Sequence, residues 1–211
     1  MGFGLIFAGY FCFFCMRLIP IDIFGFFMMF CGFKKLKEYN NGFKRCESIS
    51  LVCFAYSVLY GVFQILMLSG VLKITVSTQF TFVENLIYYS LLFLLHFHLY
   101  SGVKDIANFC DMPNTVIKAS RCLSCAGVYY GFTFLLYVLK LMPIKAELFL
   151  VTLNSMFFAL NLLMLIWLCM NVSLIFDCYK NIVTDEILEQ EQQKIEKFQL
   201  RYGNKNKKTN K

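Results

Sequence analysis

Charge is what this chain has little of. Only 16% of its 211 residues are Asp, Glu, Lys or Arg, while 59% are hydrophobic and the mean hydropathy is +0.62. Soluble domains carry about 25% charged and about 45–50% apolar residues, so this composition calls for a non-aqueous solvent. Proline is scarce too, at 3 residues against 25 phenylalanines. Each interior proline removes a helical hydrogen bond, and its rarity leaves long apolar stretches free to stay helical. The first residues, MGFGLIFAGYFCFF, lack the basic n-region and small-residue cleavage site of a secretory leader. They also lack the Ser or Thr that myristoylation of Gly2 needs. This opening is therefore expected to stay in the mature protein.

Other absences exclude chemistry. The formal charge of +7 suggests nucleic acid, but the basic residues fall between apolar runs and no soluble region exists to present a binding face. No nucleic-acid partner is expected; the basic residues read as signals facing anionic lipid. Ten cysteines in so apolar a chain read as small hydrophobes. No metal motif, nucleophile–base pair or central carboxylate dyad is visible, so no enzyme, cofactor or metal is expected.

What is present is length. A bilayer core of about 30 Å takes roughly 20 apolar residues in a helix. Four runs reach it: Ile49 to Val71, Phe82 to Val103, Cys122 to Met142 and Leu148 to Met170. Before them, Met1 to Met16 and Ile21 to Phe33 are apolar but short, divided by Arg17, Pro20 and Asp22. They read as a tight helical hairpin, either two short spans or a re-entrant pair. Gly2 and Gly9, then Gly25 and Gly32, each repeat at seven residues and so share a face. Small residues on facing sides let helices approach closely in a membrane.

Sixteen of the twenty basic residues fall in 34–45, 104–121 and the tail after Asn171; Arg17, Lys73, Lys140 and Lys145 lie on the alternate side. By the positive-inside rule both termini face the cytoplasm. The expected architecture is an all-α, polytopic integral protein of the plasma membrane. It has about six transmembrane helices over residues 1–176, the first two short, and a cytoplasmic helical tail over 177–211. In that tail Leu188, Ile195 and Tyr202 repeat at seven and acidic residues precede basic ones, which suits a helix continuing from the last span. The closing GNKNKKTNK reads as a disordered basic end.

Candidate sites are few. His96 and His98 sit in LIYYSLLFLLHFHLY, in the last turns of their span, and read as interfacial rings beside Tyr100. Two positions apart on a helix is about 200° in azimuth, so they cannot share a metal. Glu84, near the other end of that span, is a candidate ion-pair partner for Lys140. Cys12 with Cys15, and Cys122 with Cys125, form Cys-x-x-Cys pairs expected near opposite membrane faces, too far apart for one zinc site. Gln64, Asn154 and Asn161 either bond across helices or line a polar cavity for a small solute. Gly127 and Gly131, in GVYYG, form a GxxxG face that packs another helix, within the chain or across a dimer.

The stretches GLIFAGYF and IDIFGFFMMFCGFKKLKEYN, Gly4 to Phe11 and Ile21 to Asn40, resemble an uncharacterised group of small polytopic membrane proteins from Gram-positive bacteria. The resemblance implies no activity. Two function classes follow. The first expectation is a non-enzymatic assembly or accessory component, partnered by the bilayer and by other membrane proteins or itself. The second is a small-solute transporter or substrate-binding subunit; six helices and cytoplasmic termini are similar to the substrate-binding components of vitamin transporters. Gly4 and Ala8 match the small-residue spacing of their first helix. A convergent polar cavity favours transport, and a dry, packed interior favours assembly.

Overall fold

The computed structural model describes residues 2–14, 19–71, 78–142 and 147–208, with side chains over 2–12, 22–71, 79–142, 149 and 151–181. The described residues form six helices and no strand: α1 (Gly2–Phe14), α2 (Ile19–Leu36), α3 (Asn41–Leu68), α4 (Thr78–Phe109), α5 (Pro113–Lys140) and α6 (Glu147–Lys208). Four helices are long and apolar enough to cross a membrane: α3, α4 from Gln79, α5, and α6 over Val151–Asn181. The architecture is compatible with a multi-pass membrane protein.

Local chemistry sets the helix ends. Pro20 lies in the first turn of α2 and does not break it, because a proline there forfeits only an amide that has no helical partner. Asn40 caps α3, its side-chain oxygen accepting from the Gly42 amide at 2.6 Å, while its Nδ2 donates to Asp105 at 2.7 Å. At the end of α4, Asp111 adopts φ 51° and the Met112 amide reaches back to the Ala107 carbonyl at 2.8 Å. This left-handed closure satisfies carbonyls that the stopped helix would orphan, and Pro113 then opens α5. The tail is helical further than its composition suggests: α6 runs unbroken through the expected boundary at 176–177 to Lys208, taking in most of GNKNKKTNK.

Consecutive helices are neighbours, and α6 returns to pack on α1, so the bundle closes as a ring. Phe3, Ile6 and Tyr10 of α1, Phe26, Met29 and Phe33 of α2, and Leu95, Leu99 and Tyr100 of α4 fill the interior. The outward face carries large apolar side chains such as Leu59, Ile65, Phe132, Phe158 and Ile166. Outward side chains this apolar suit hydrocarbon better than water. Ion pairs gather at the end where α2 meets α3 and α4 meets α5: Lys37 with Glu47 at 3.1 Å, and Lys118 with Asp177, which ties α5 to α6.

The structure joins Gly2 with Gly32 and Gly9 with Gly25. A Cβ on Gly32 would stand 2.8 Å from the Gly2 carbonyl oxygen, and one on Gly9 would stand 2.7 Å from that of Gly25. The α1–α2 hairpin is therefore held at a backbone separation that no side chain permits. Gly127 and Gly131 differ: a Cβ on either would meet nothing within 4 Å. Among the described residues no helix packs on the GxxxG face. The two glycines instead floor a largely apolar groove of about 500 Å³ between α4 and α5, walled by Phe93, Tyr89 and Phe134.

Candidate functional site: an acidic cavity and an aromatic chamber

Two further cavities lie among the described residues of the bundle. The larger, about 370 Å³, opens between α2, α3 and α4, where α3 stops and α4 starts. Helical spacing builds it. Tyr56, Tyr60 and Gln64 recur every four residues along one face of α3, and Thr81, Glu84 and Tyr88 recur at three and four along α4. Asp22, in the first turn of α2, supplies a second carboxylate. The tyrosines form a rigid wall: Tyr56 stacks on Tyr60 at 6.4 Å and on Tyr88 at 6.0 Å between ring centroids. The Tyr56 hydroxyl stands 3.4 Å from the Glu84 carboxylate, to which it donates, and Gln64 Nε2 donates to the Tyr60 hydroxyl at 2.8 Å. No lysine, arginine or histidine is among the described lining residues. The cavity is polar, hydroxyl-rich and negative, a combination that favours a cation.

Three sequence expectations are corrected here. Gln64 lines this cavity, but Asn154 and Asn161 do not: both are exposed on the outside of α6. Leu153, Leu160, Trp167 and Leu174 carry the buried seven-residue repeat of that helix and leave the asparagines turned outward. Glu84 meets Tyr56 rather than forming an ion pair with Lys140, which is exposed in the last turn of α5. His96, expected as an interfacial ring, turns into the bundle instead. It lies within a turn of the midpoint of α4 and is only 5% exposed, whereas His98 faces another way and is half-buried beside Phe97.

His96 borders the smaller cavity, an aromatic chamber of about 70 Å³. Its Nδ1 lies 2.6 Å from the Leu92 carbonyl oxygen, which can only accept, so the proton sits on Nδ1 and Nε2 keeps a lone pair. The Tyr130 hydroxyl stands 3.1 Å from the same Nδ1. Trp167 packs on the histidine with ring centroids 4.6 Å apart, and Tyr129 stacks on Trp167 at 5.5 Å. Tyr10 reaches the histidine from α1, 5.7 Å between rings. Below the chamber the buried Tyr100 hydroxyl donates to Asn171 Oδ1, joining α4 to α6. His96 Nε2, Trp167 Nε1 and Asn171 Nδ2 are buried with no hydrogen-bond partner among the described residues. Tyr88 borders both cavities.

Sequence reasoning passed over Trp167, Tyr129 and Tyr130 because an aromatic residue in an apolar helix carries no directional signal by itself. The one available cue was rarity: the only tryptophan and one of two histidines both turn inward. Of the Cys-x-x-Cys pairs, Cys122 is buried and Cys125 half-buried, while Cys15 lies outside the described residues. Among the described residues no group of three or more His, Cys, Asp or Glu is placed to hold a metal ion. No family model, no curated protein and no solved structure matches this chain.

Proposed function

We propose that this is a non-enzymatic, six-span protein of the plasma membrane that binds a small cationic solute, as a transporter or its substrate-binding subunit. The acidic cavity carries this reading. Two carboxylates from different helices share a pocket of about 370 Å³ with tyrosine hydroxyls, Gln64 and no described basic side chain. That volume sits near the lower end of the range of about 300–1,000 Å³ for small-molecule sites. An ammonium group there gains charge-assisted hydrogen bonds from Asp22 and Glu84 and the face of a tyrosine wall. With both termini cytoplasmic, as the distribution of basic residues supports, the cavity faces outward. A solute would then pass Gln64 and Thr81 to reach Asp22 and Glu84, with Tyr88 beneath them.

A panel of small primary and quaternary amines, carboxylates and metal cations, scored by thermal unfolding of the purified protein, tests this. A ligand that binds the native state raises the melting temperature by mass action, about 2.7 kcal/mol at a hundred times its Kd. Amines are expected to shift the wild type, and Glu84→Gln and Asp22→Asn to remove the shift. Equal shifts from anions, or an undiminished shift in both variants, would reject the cavity as the site.

A second reading has its own observation. The open GxxxG face at Gly127 and Gly131 borders a groove that no described residue fills. Assembly with another membrane helix fits that groove, and cross-linking from Gly131→Cys in membranes would reveal it.

A further inference from the structure

We propose that the aromatic chamber is a second binding site, for a small uncharged molecule whose polar group both donates and accepts a hydrogen bond: a simple alcohol or an unprotonated amine. The inference stands on the chamber's own groups and does not depend on the acidic cavity. Two unpartnered polar atoms belong to residues lining this one space, and they are of opposite kind. His96 Nε2 is an acceptor, since Nδ1 gives its proton to the Leu92 carbonyl. Trp167 Nε1–H is a donor. Their residues are 5% and 4% exposed, so bulk solvent satisfies neither. An unmade hydrogen bond on a buried polar group is costly, and a ligand that makes it recovers that cost.

The pair of groups selects the ligand. An ammonium ion has donors only and leaves the indole N–H unpaired; a carboxylate has acceptors only and faces the histidine lone pair. Either also brings a charge into a chamber with no carboxylate, lysine or arginine among its described lining residues, where an unpaired charge is costly. A hydroxyl or a neutral amine donates to Nε2 and accepts from Nε1–H at once. Leu92, Leu168 and Met164 give its alkyl part an apolar wall. The volume limits that part: about 70 Å³ is half the cavity of about 150 Å³ that admits benzene. Water has the same hydrogen-bonding pattern and is the natural competitor.

Trp167 is the only tryptophan in the chain, so its emission reports this chamber without background. The protein in detergent is titrated with methanol, ethanol and methylamine, the last repeated at rising pH. A saturable change in emission is expected, and methylamine is expected to bind more tightly as its uncharged fraction grows. His96→Phe should weaken binding about tenfold, the equivalent of one hydrogen bond, while His96→Gln, which retains an acceptor, should bind like the wild type. Melting curves establish that each variant is folded. If His96→Phe does not fold, the His96→Gln titration and the pH series still decide. A change that never saturates, equal binding in a folded His96→Phe, loss of binding in a folded His96→Gln, or affinity independent of pH would overturn the proposal. A response to heavy water alone, with none to the added probes, assigns the chamber to water and also overturns it. Glu84→Gln separates the two sites: it should abolish the thermal shift with quaternary amines, which have no uncharged form to enter the chamber, and leave the Trp167 response to methanol and methylamine intact.

Discussion

The α1–α2 hairpin and the outer face of α5 carry the same kind of sequence signal and put it to opposite use. In the hairpin, Gly2 meets Gly32 and Gly9 meets Gly25 across a gap that a single methyl group would close. On α5, Gly127 and Gly131 look into open space beside a groove. Spaced small residues therefore permit close approach without specifying it. What decides is whether a partner backbone with its own small residues is available. The hairpin has one within its own chain, separated by a short connection. The α5 face does not.

Substitutions break this comparison at different strengths. The largest effect is expected from Gly32→Ala, whose added methyl would meet the Gly2 carbonyl and the Ile6 side chain. Overpacking of this kind costs about 1–3 kcal/mol, read as a lower melting temperature; a neutral result would mean that the hairpin can open without penalty. Next comes Tyr100→Phe, which strips Asn171 Oδ1 of its donor in a fully buried position. About 1–2 kcal/mol should be lost, since a buried acceptor is left unpaired. Lys118→Ala, at the half-exposed pair with Asp177, should cost about 1 kcal/mol or less and lose its effect in high salt. The smallest change belongs to Gly127→Ala. With nothing to clash against, it should be neutral or gain up to about 1 kcal/mol from helix propensity. If that variant instead disrupts self-association in membranes, the α5 face has its partner in a second chain, and the contrast with the hairpin narrows to where the partner comes from.

Composition and run length made the helical membrane class legible, and each of the four long apolar runs coincides largely with one of the four long helices. Hydropathy is additive along a chain, so it survives without knowledge of neighbours. Which face of a helix turns inward is not additive. Asn154 and Asn161 share a face by spacing, but the adjacent Leu153–Leu160–Trp167 repeat took the interior. In an apolar solvent, hydrophobicity no longer distinguishes inside from outside, so the usual amphipathic cue is missing. His96 shows a related limit. Its place in the last turns of an expected span assumed that α4 ends near Val103, whereas the helix continues to Phe109 and puts the ring near its middle. Gln64 and Glu84 were both singled out by sequence, though with other partners than the tyrosines that the fold gives them.

The closing of the ring also orders the making of the protein. At 13 residues, α1 reaches about 20 Å, short of a hydrocarbon core of about 30 Å. Its inner face rests on α2, which follows at once, and on α6, which is made only after α3, α4 and α5. During synthesis Tyr10 and its neighbours therefore wait through the making of four helices before Met164, Trp167 and Leu168 complete the wall of their chamber. Until α6 is made, that seam of buried-type side chains stays open on one side.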